Sequence, residues 1–476
     1  MQAPPALGQP LNLGKADGLG AGPVLAGPSL LFEEEPGGRF AVRLATAGQP
    51  TRTLASAAPP APSDDSESPG DFSTTRIAVA ASPARAAYTN TSSSGNARYG
   101  QGTTGTAVFS GPLAGPLAQL ATCSGDLYPP FSGEVAVDAD AVAHTACDGS
   151  LVIRNFAPGA PVAVRTIAQP TGFAARDVAL AGRYVAYTRS RVGPVPRDLD
   201  RTVVADWVAG TESYSLPAEE DFDIDADGTI VVANFSGGVS CATGRLFWYS
   251  TSQPVPHPVG QNPCRPGVRI AGGGIAVALD AGGGQHALSL VDLAGRRRDV
   301  AALGPPGVQR GDVDFDGSRL SYALADCSGQ SDLLMVAATS TEAAKPLSTS
   351  CPVAIRSRRL ELRSGRRSVR ASLACPRGCA GTARLDRRRG RGRRARRVTI
   401  GSSRSFRIGA VRCRTAVGIA LNRTGRRLVR ARRPLRARLV ITTTDRAGRS
   451  RVKRASVVLS PTRRGGSGTR SSANGC

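Results

Sequence analysis

Between residues 20 and 350 the apolar positions do not recur at helical spacing. They come in short runs bounded by Gly or Asp-Gly, and the runs arrive in pairs, as strands joined by tight turns do. The first run of each pair reads GPSLLF, SPARAAY, ADAVAH, AGRYVAY, DGTIVVA, GGGIAVA and DGSRLSY. Aligned on their last residues, Phe32, Tyr88, His144, Tyr187, Ala233, Ala278 and Tyr322, they step by 56, 56, 43, 46, 45 and 44 residues. A second run follows each one: FAVRLATAG, GTAVFSGPLAG, GSLVIRNFAPG, RTVVADWVAG, GRLFWYS, HALSLVDLAG and DLLMVAATS. One four-stranded sheet cannot cover both its faces, and a period of this length with several strands per unit predicts radial stacking as a β-propeller of seven blades. The first two steps are long because of polar inserts at 56–73 and 91–105, expected to be surface loops.

From residue 353 the rhythm changes to alternating apolar and polar positions separated by Gly turns. This predicts a small antiparallel β-sandwich with Arg on its solvent face. The expected fold class is therefore all-β: a seven-bladed β-propeller plus a C-terminal antiparallel β-sandwich. The segments are a flexible N-terminal stretch 1–19, the propeller 20–351, the basic sandwich 352–460 and a disordered polar tail 461–476.

Composition agrees and adds exclusions. The 56 Gly and 34 Pro among 476 residues favour turns over long helices. No apolar run is long enough to span a membrane as a helix, and MQAPPALGQP lacks the basic and apolar parts of a signal peptide. Charge is divided unevenly. Residues 352–476 hold 37 Lys and Arg against Glu361, Asp386 and Asp445, a net of +34, which leaves −9 for residues 1–351. Such a module suits an anionic partner, although 58 Arg beside 3 Lys also has the look of GC-rich coding.

Of the ten cysteines, six fall at repeated separations: Cys123 and Cys147 by 24, Cys241 and Cys264 by 23, Cys327 and Cys351 by 24. Metal sites want closer Cys pairs with His nearby, whereas His144, His257 and His286 are scattered. Disulfides are the expectation, with Cys375 and Cys379 as a tight fourth pair; buried free thiols at chance spacing are the alternative. Each long bridge would contribute about 3 kcal/mol on the chain-entropy view. Bridges in this number imply an oxidising compartment, hence a secreted or envelope-associated protein whose signal lies upstream or whose export takes another route. If the blades run from inner to outer strand, the six cysteines share one rim, in the second-to-third turns and the links between blades.

The stretches DADGTIVVA and DFDGSRLSYA resemble the Asp-Gly turn and strand of TolB-type (WD-repeat-like) β-propellers. CPRGCAGTARL and the strand rhythm around it resemble the immunoglobulin- or fibronectin-like modules that end many exported actinobacterial proteins. The first resemblance implies a propeller that mainly binds proteins, with some relatives acting as peptidase or lyase parts. It speaks to fold more than to activity.

Candidate chemistry is sparse. Asp223, Asp225, Asp227 and Gly228, with Ile230, match the opening of a calcium loop, but position twelve is Asn234; the parallel set Asp312, Asp314, Asp316 and Gly317 ends in Ala323. Both read better as Asp-rich hairpin turns, so no metal is expected. No G-x-S-x-G occurs, the nearest being Gly238-Val239-Ser240-Cys241, and His144 reads as a packed strand residue, with His257 at a blade edge. Glu33, Glu34 and Glu35 could seat an acid/base pair in the channel, but three consecutive carboxylates read more simply as a solvated turn. No phosphate-cradling Gly loop with Lys is present, and no cofactor is expected. Arg387, Arg388, Arg389, Arg391, Arg393, Arg394, Arg396 and Arg397 form an exposed hairpin tip suited to polyanion contact, or merely a solvated loop. Nucleic acid is disfavoured, because no aromatic residue flanks the run and export separates the chain from it. The functional expectation is an exported, non-catalytic binding or scaffold protein, taking an unknown protein or glycan on a propeller face while its basic sandwich touches an anionic cell-wall polymer. The alternatives are a propeller hydrolase or lyase with a channel site, and a polyanion or nucleic-acid binder acting through Arg387 to Arg397.

Overall fold

The computed structural model describes residues 10–35, 39–57, 71–96, 101–126, 133–192, 200–218, 221–234, 244–252, 254–281, 286–304, 309–325, 330–339, 353–355, 359–362, 368–374, 379–389, 396–403, 405–408, 414–430, 435–444 and 450–461. The chain divides into two compact units, the first of Met1–Leu303, Gln309–Leu324 and Ser331–Pro346 and the second of Gly304–Val308, Ala325–Gln330 and Leu347–Cys476.

The first unit opens with strand β1 (Leu11–Ala16) and continues as four-stranded meanders. Blade 1 holds β2 (Val24–Ala26), β3 (Ser29–Glu34), β4 (Phe40–Thr46) and β5 (Arg52–Ala57). Blade 2 holds β6 (Asp71–Ala81), β7 (Arg85–Asn96), β8 (Gln101–Pro112) and β9 (Ala118–Asp126). Blade 3 holds β10 (Val135–Asp138), β11 (Ala141–Thr145), β12 (Leu151–Asn155) and β13 (Val164–Ile167). Blade 4 holds β14 (Phe173–Ala181), β15 (Tyr184–Arg191), β16 (Arg201–Asp206) and β17 (Thr211–Pro217). Blade 5 holds β18 (Asp221–Ile224), β19 (Ile230–Asn234), β20 (Arg245–Tyr249) and β21 (His257–Pro258). Blade 6 holds β22 (Pro263–Ala271), β23 (Gly274–Asp280), β24 (His286–Asp292) and β25 (Arg297–Gly304). Blade 7 has β26 (Gln309–Phe315), β27 (Arg319–Ala325) and β28 (Ser331–Ala337), and its fourth strand is β1.

That last pairing corrects the expected boundary. Residues 11–16 are not a flexible lead-in; they run antiparallel to β28 from Leu11 opposite Met335 to Ala16 opposite Ser331. Leu13 and Ala16 are buried against Leu333 and Ala323, so the first strand of the chain completes the last blade. The inner strands adjoin in the order β2, β6, β10, β14, β18, β22, β26 and back to β2, a closed ring of seven. All seven aligned residues, Phe32 to Tyr322, lie in second strands.

Those strands read as continuous apolar runs because both their faces are covered. In β11, Val142 packs toward Ala87 and Val108 of blade 2 while Ala143 packs toward Val185 and Tyr187 of blade 4. In β19, Ile230 and Val232 join the cluster shared with blade 4, and Val231 and Ala233 the one shared with blade 6. Turns set the hairpin angles: Gly228 has φ of +85°, a conformation that costs an L side chain, and Asp227 caps the same turn by accepting the Thr229 N–H at 2.8 Å.

The insert expected as a loop at 91–105 is largely strand. β7 and β8 continue through it, with hydroxyl pairs Thr91–Thr106 at 2.9 Å and Ser93–Thr104 at 3.0 Å. Of the other insert, residues 71–73 begin β6 and 58–70 lie outside the described residues.

The second unit comprises β29 (Ala354–Ile355), β30 (Arg359–Leu362), β31 (Ser368–Ala374), β32 (Cys379–Arg389), β33 (Arg396–Ser402), β34 (Phe406–Ile408), β35 (Arg414–Leu421), helix α1 (Arg423–Arg430), β36 (Leu435–Thr444) and β37 (Ser450–Pro461). Its strands form one hydrogen-bonded path, β29-β31-β35-β33-β32-β36-β37-β30, with β34 on β32. The sheet curls over its own apolar face: Val369, Leu373 and Ile419 from one half meet Leu385, Leu439, Ile441 and Leu459 from the other. The two layers of the expected sandwich are thus halves of one sheet, antiparallel except where β30 runs parallel to β37. The helix at 423–430 interrupts the alternating strand pattern expected of this module. Asn422 starts it by accepting the Gly425 N–H at 2.8 Å, and Gly425 lies so close to the Ile400 carbonyl that any side chain there would clash. The tail expected to be disordered lies, beyond Pro461, outside the described residues.

If β1 closes the ring, a charge in its buried face must loosen the whole unit. Leu13→Asp is expected to cost about 3 kcal/mol and lower the melting midpoint by several degrees, read by thermal unfolding. An unchanged midpoint would contradict the closure.

Candidate functional site

In a meander ring the second-to-third turns and the links between blades leave at the same rim, and the cysteines mark it. Cys147 lies in the β11–β12 turn and Cys123 near the end of β9, opposite Thr106. They form a disulfide with Cα atoms 5.2 Å apart, which ties the outer strand of blade 2 to blade 3. Cys123 was expected in the link itself and is instead the buried end of a strand. Cys264, also expected in a link, sits at the start of inner strand β22, opposite Ala278 near the same rim, and is disulfide-bonded. Its expected partner Cys241 lies outside the described residues, as do Cys327, Cys351, Cys375, Cys413 and Cys476; Cys379 begins β32. Past this rim stands the β7–β8 hairpin. Chain continues as strand for eight residues beyond Tyr88 to Asn96, but for two beyond Phe32 to Glu34. Among the described residues, the bridge therefore braces the base of the longest strand extension at this rim.

Beside it in the ring, the acidic run 33–35 is not the solvated turn expected. Glu33 and Glu34 are 3% and 5% exposed at the end of β3. Glu34 pairs with Arg43 at 2.6 Å and accepts the Asp17 N–H at 2.9 Å. Burial pushes the Glu33 carboxyl up to about 7, opposed by N–H groups of Ala21 and Gly20, with the charges of Glu35 and Glu34 adding to the rise. Gly20 packs directly on that carboxylate, leaving no room for a side chain. Glu33 thus sits inside the link that joins the closing strand to blade 1. No local sequence signal pointed to this.

Around the channel, carboxylates of one inner strand accept backbone N–H groups of the next blade. Asp221 takes Val268 at 2.7 Å, Asp223 takes Ile270 at 2.8 Å and Asp225 takes Gly273 at 2.9 Å, all from blade 5 to blade 6. Asp314 takes Leu25 at 2.7 Å across the closure, and Asp138 takes Gly182 at 2.6 Å. The two Asp-rich motifs therefore work as cross-blade acceptors and turn caps; Asp316 caps the β26–β27 turn through Ser318 and Arg319. Arg269 lies between Asp223 and Asp314, 3.8 Å from the latter, so three neighbouring inner strands meet in one acid–base–acid cluster. Burial lifts Asp223 to about 7 against the pull of Arg269, and lifts Asp314 in the same direction.

The histidines do not join this cluster. His144 is buried in β11, its Nδ1 3.2 Å from the Thr145 carbonyl and its basicity lowered first by burial. His257 stacks on Trp248 at 4.1 Å in the outer half of blade 5, and His286 begins the third strand of blade 6.

In the second unit the two ends of the arginine run lie on the paired strands β32 and β33, with Arg387 opposite Val398, Arg388 opposite Arg397 and Arg389 opposite Arg396. Arg388, Arg396 and Arg397 are exposed, while Arg391, Arg393 and Arg394 lie outside the described residues.

Strand order and ring closure make the first unit a seven-bladed β-propeller. No family model and no curated protein matches the chain. Among solved structures it is similar to puromycin hydrolase, at 15% identity and a TM-score of 0.40, covering 76% of this chain and 58% of that one. It is similar to the β-propeller domain of the Trilobed protease from Pyrococcus furiosus, at 12% identity and a TM-score of 0.39, covering 65% and 91%. It is also similar to the extracellular domain of a hybrid two-component system from B. thetaiotaomicron, at 10% identity and a TM-score of 0.35, covering 96% and 59%. The chain thus spans less than two thirds of the first and third of these.

Two outcomes are expected. Cys123→Ser with Cys147→Ser should cost about 3 kcal/mol in urea unfolding relative to the oxidised wild type, and reduction of the wild type, which also opens the bridge at Cys264, should cost at least as much. For Glu33, the folded state holds its proton up to about 7 against an ordinary 4.5, so rising pH through that window favours unfolding. Glu33→Gln should therefore match the wild type near pH 4.5 and exceed it by up to about 3 kcal/mol at pH 8, read from urea midpoints at both values.

Proposed function

We propose that this protein is an exported, non-catalytic binding or scaffold protein of the TolB-type propeller kind with an immunoglobulin-like end module. It takes a protein or glycan partner at the cysteine-bearing rim, and its arginine-rich second unit contacts an anionic envelope surface. The observation that carries the reading is the imbalance of residues 352–476, 37 basic residues against three acidic, with arginines on exposed strand positions. A net charge of that size on a small unit has no use in folding and strong use in association. The Cys123–Cys147 bridge supports an oxidising compartment. Among the described residues no helix is long and apolar enough to cross a membrane, which fits attachment from the surface side. The half-buried channel carboxylates are occupied as acceptors of backbone N–H groups, and the three histidines stand on other strands, which favours binding over catalysis.

One observation favours the hydrolase reading: the Asp223, Arg269 and Asp314 cluster at the channel, two acids with raised proton affinity flanking a base. The test has two arms. Replacing the arginines from Arg387 to Arg397 by Ser should reduce retention on envelope fractions at low salt by roughly tenfold, with little difference at high salt. Unchanged retention removes the anchoring. Turnover of an acyl or glycosyl substrate that stops in Asp223→Asn would replace the binding reading with the catalytic one.

A further inference from the structure

The seam between blades 2 and 3 buries two nitrogens that no described residue hydrogen-bonds. One is His144 Nε2, on a side chain 2% exposed, and the other is Arg154 Nε. The register brings them together. Arg154 lies opposite Val142 across β11 and β12, and His144 is two positions along β11 from Val142, so the two are diagonal neighbours on one face. That face is turned to blade 2, because Val142, and Val135 opposite His144, pack with Ala87 and Val108. Blade 2 continues the seam with hydroxyls that are already directed. Thr89 donates to the Gly133 carbonyl, Ser110 donates to the Ala86 carbonyl at 2.9 Å, and Thr91 pairs with Thr106 at 2.9 Å. The Cys123–Cys147 bridge crosses between the two blades at the rim.

Charge around the pair is one-sided. Arg76 of β6 and Glu134, beside Val135, satisfy each other at 2.7 Å. Arg85 of β7 lies over the Phe156 ring and 4.0 Å from Asp140. Asp148, in the β11–β12 turn, accepts the Ser150 N–H and hydroxyl. β8 presents Thr106 and Val108 to the seam, and β9 the oxidised Cys123. Among the described residues Arg154 is thus the cation of this seam that faces no carboxylate. The His144 ring sets Nδ1 3.2 Å from the Thr145 carbonyl, which favours hydrogen on Nδ1. A neutral ring then carries none on Nε2, and a charged ring carries one on each nitrogen.

We propose that this seam binds a chloride ion between His144 Nε2 and Arg154 Nε, and that the ion enters together with a proton for His144. A monatomic anion accepts hydrogen bonds from any direction, and a seam packed with Ala87, Val108, Val135 and Val142 favours the smallest anion. Without the ion a charged His144 stands beside Arg154 away from water. Burial lowers its proton affinity first; the Thr145 carbonyl opposes this and the Arg154 charge adds to it. With the ion, two positive groups share one counter-charge at short range, where the low dielectric strengthens both hydrogen bonds. A metal cation on Nε2 is opposed by the same arginine. The site lies in the seam that the disulfide also spans, below the β7–β8 extension, so chloride protects this part of the rim against acid. The proposal is independent of the partner and anchoring readings.

The chain has three histidines, so the imidazole proton resonances of the full chain can be followed singly, with His144 assigned by its loss in His144→Gln. Titrations are run at constant ionic strength in sodium chloride and in sodium methanesulfonate. Chloride at ten times its dissociation constant should raise the His144 midpoint by about one unit, a tenfold gain in proton affinity, and leave His257 and His286 where they were. Equal His144 midpoints in the two salts, the result expected if water alone meets the two nitrogens, would overturn the proposal. A His144 that stays neutral down to acid unfolding in both salts does the same. Arg154→Gln should abolish the chloride-dependent rise, and a rise that survives puts the ion elsewhere. The wild type alone gives a second reading. Its urea midpoint at pH 5 should be higher in chloride than in methanesulfonate, with no difference at pH 8. A difference of the same size at both pH values overturns the coupling to the proton.

Discussion

A four-stranded sheet with two apolar faces and an unpaired inner edge is unstable alone, and the first unit is organised by how those surfaces are covered. Apolar clusters between neighbouring blades fill the faces: Leu31 of blade 1 meets Ile77 of blade 2, and Phe222 of blade 5 meets Val204 of blade 4. The inner edge is the harder problem, because backbone N–H groups facing another sheet need acceptors that a strand cannot supply at that angle. Side-chain carboxylates reach across instead. Asp221, Asp223 and Asp225 do this for three N–H groups of blade 6, and Asp314 does it for Leu25 where the last blade meets the first. An orphaned buried N–H costs about 1–3 kcal/mol, so a few such bonds weigh as much as a blade's worth of packing defects.

The same requirement explains why acids that look catalytic are partly withdrawn from water, with raised proton affinity. A carboxylate placed to cap an inner edge is removed from water by the neighbouring sheet, and the N–H bonds it accepts only partly offset that desolvation. Asp223 and Asp314 therefore carry the signature of functional acids for a structural reason, and Arg269 between them moderates it. Glu33 is the equivalent in the link that closes the ring, held by N–H groups of Ala21 and Gly20. Perturbed acids in this fold identify edges first and sites second.

Blade number, strand identity and the Cys123–Cys147 pair were legible in the chain because each repeats: one strand and one turn, written seven times, carry period and register together. What stood outside the repeat was not legible. β1 is separated from its partner β28 by more than 300 residues and has no copy to align with, so its pairing is a property of ring closure alone. Glu33 and Glu34 read as a polar turn because nothing local reveals that the Gly-rich link folds over them. The helix at 423–430 follows an apolar strand without a break, and its start depends on one Asn cap and one close approach at Gly425. The β7–β8 extension was hidden by its composition, since Ser, Thr and Gly read as loop until cross-strand hydroxyl pairs bring them into register.

The two units use charge in opposite ways, and that contrast is the strongest functional signal in the chain. In the propeller, acids are consumed locally: Asp148 holds Ser150, Asp206 holds Val208 and Ala209, Asp292 holds Ala294 and Arg296, and the inner-strand set holds the next blade. Its negative balance is the by-product of many turns and edges. The second unit has few such demands, because one sheet curled over its own core satisfies its strands by pairing, and an outward residue on β36 or β37 needs only to tolerate water. Lys, Thr, Ser or Glu would serve there equally, and coding bias toward Arg accounts for Arg in place of Lys but not for the near absence of acids among 37 bases. Self-repulsion of that size destabilises a small unit unless counter-charge is supplied from outside. Residues 352–476 thus hold too few acids to balance their own bases.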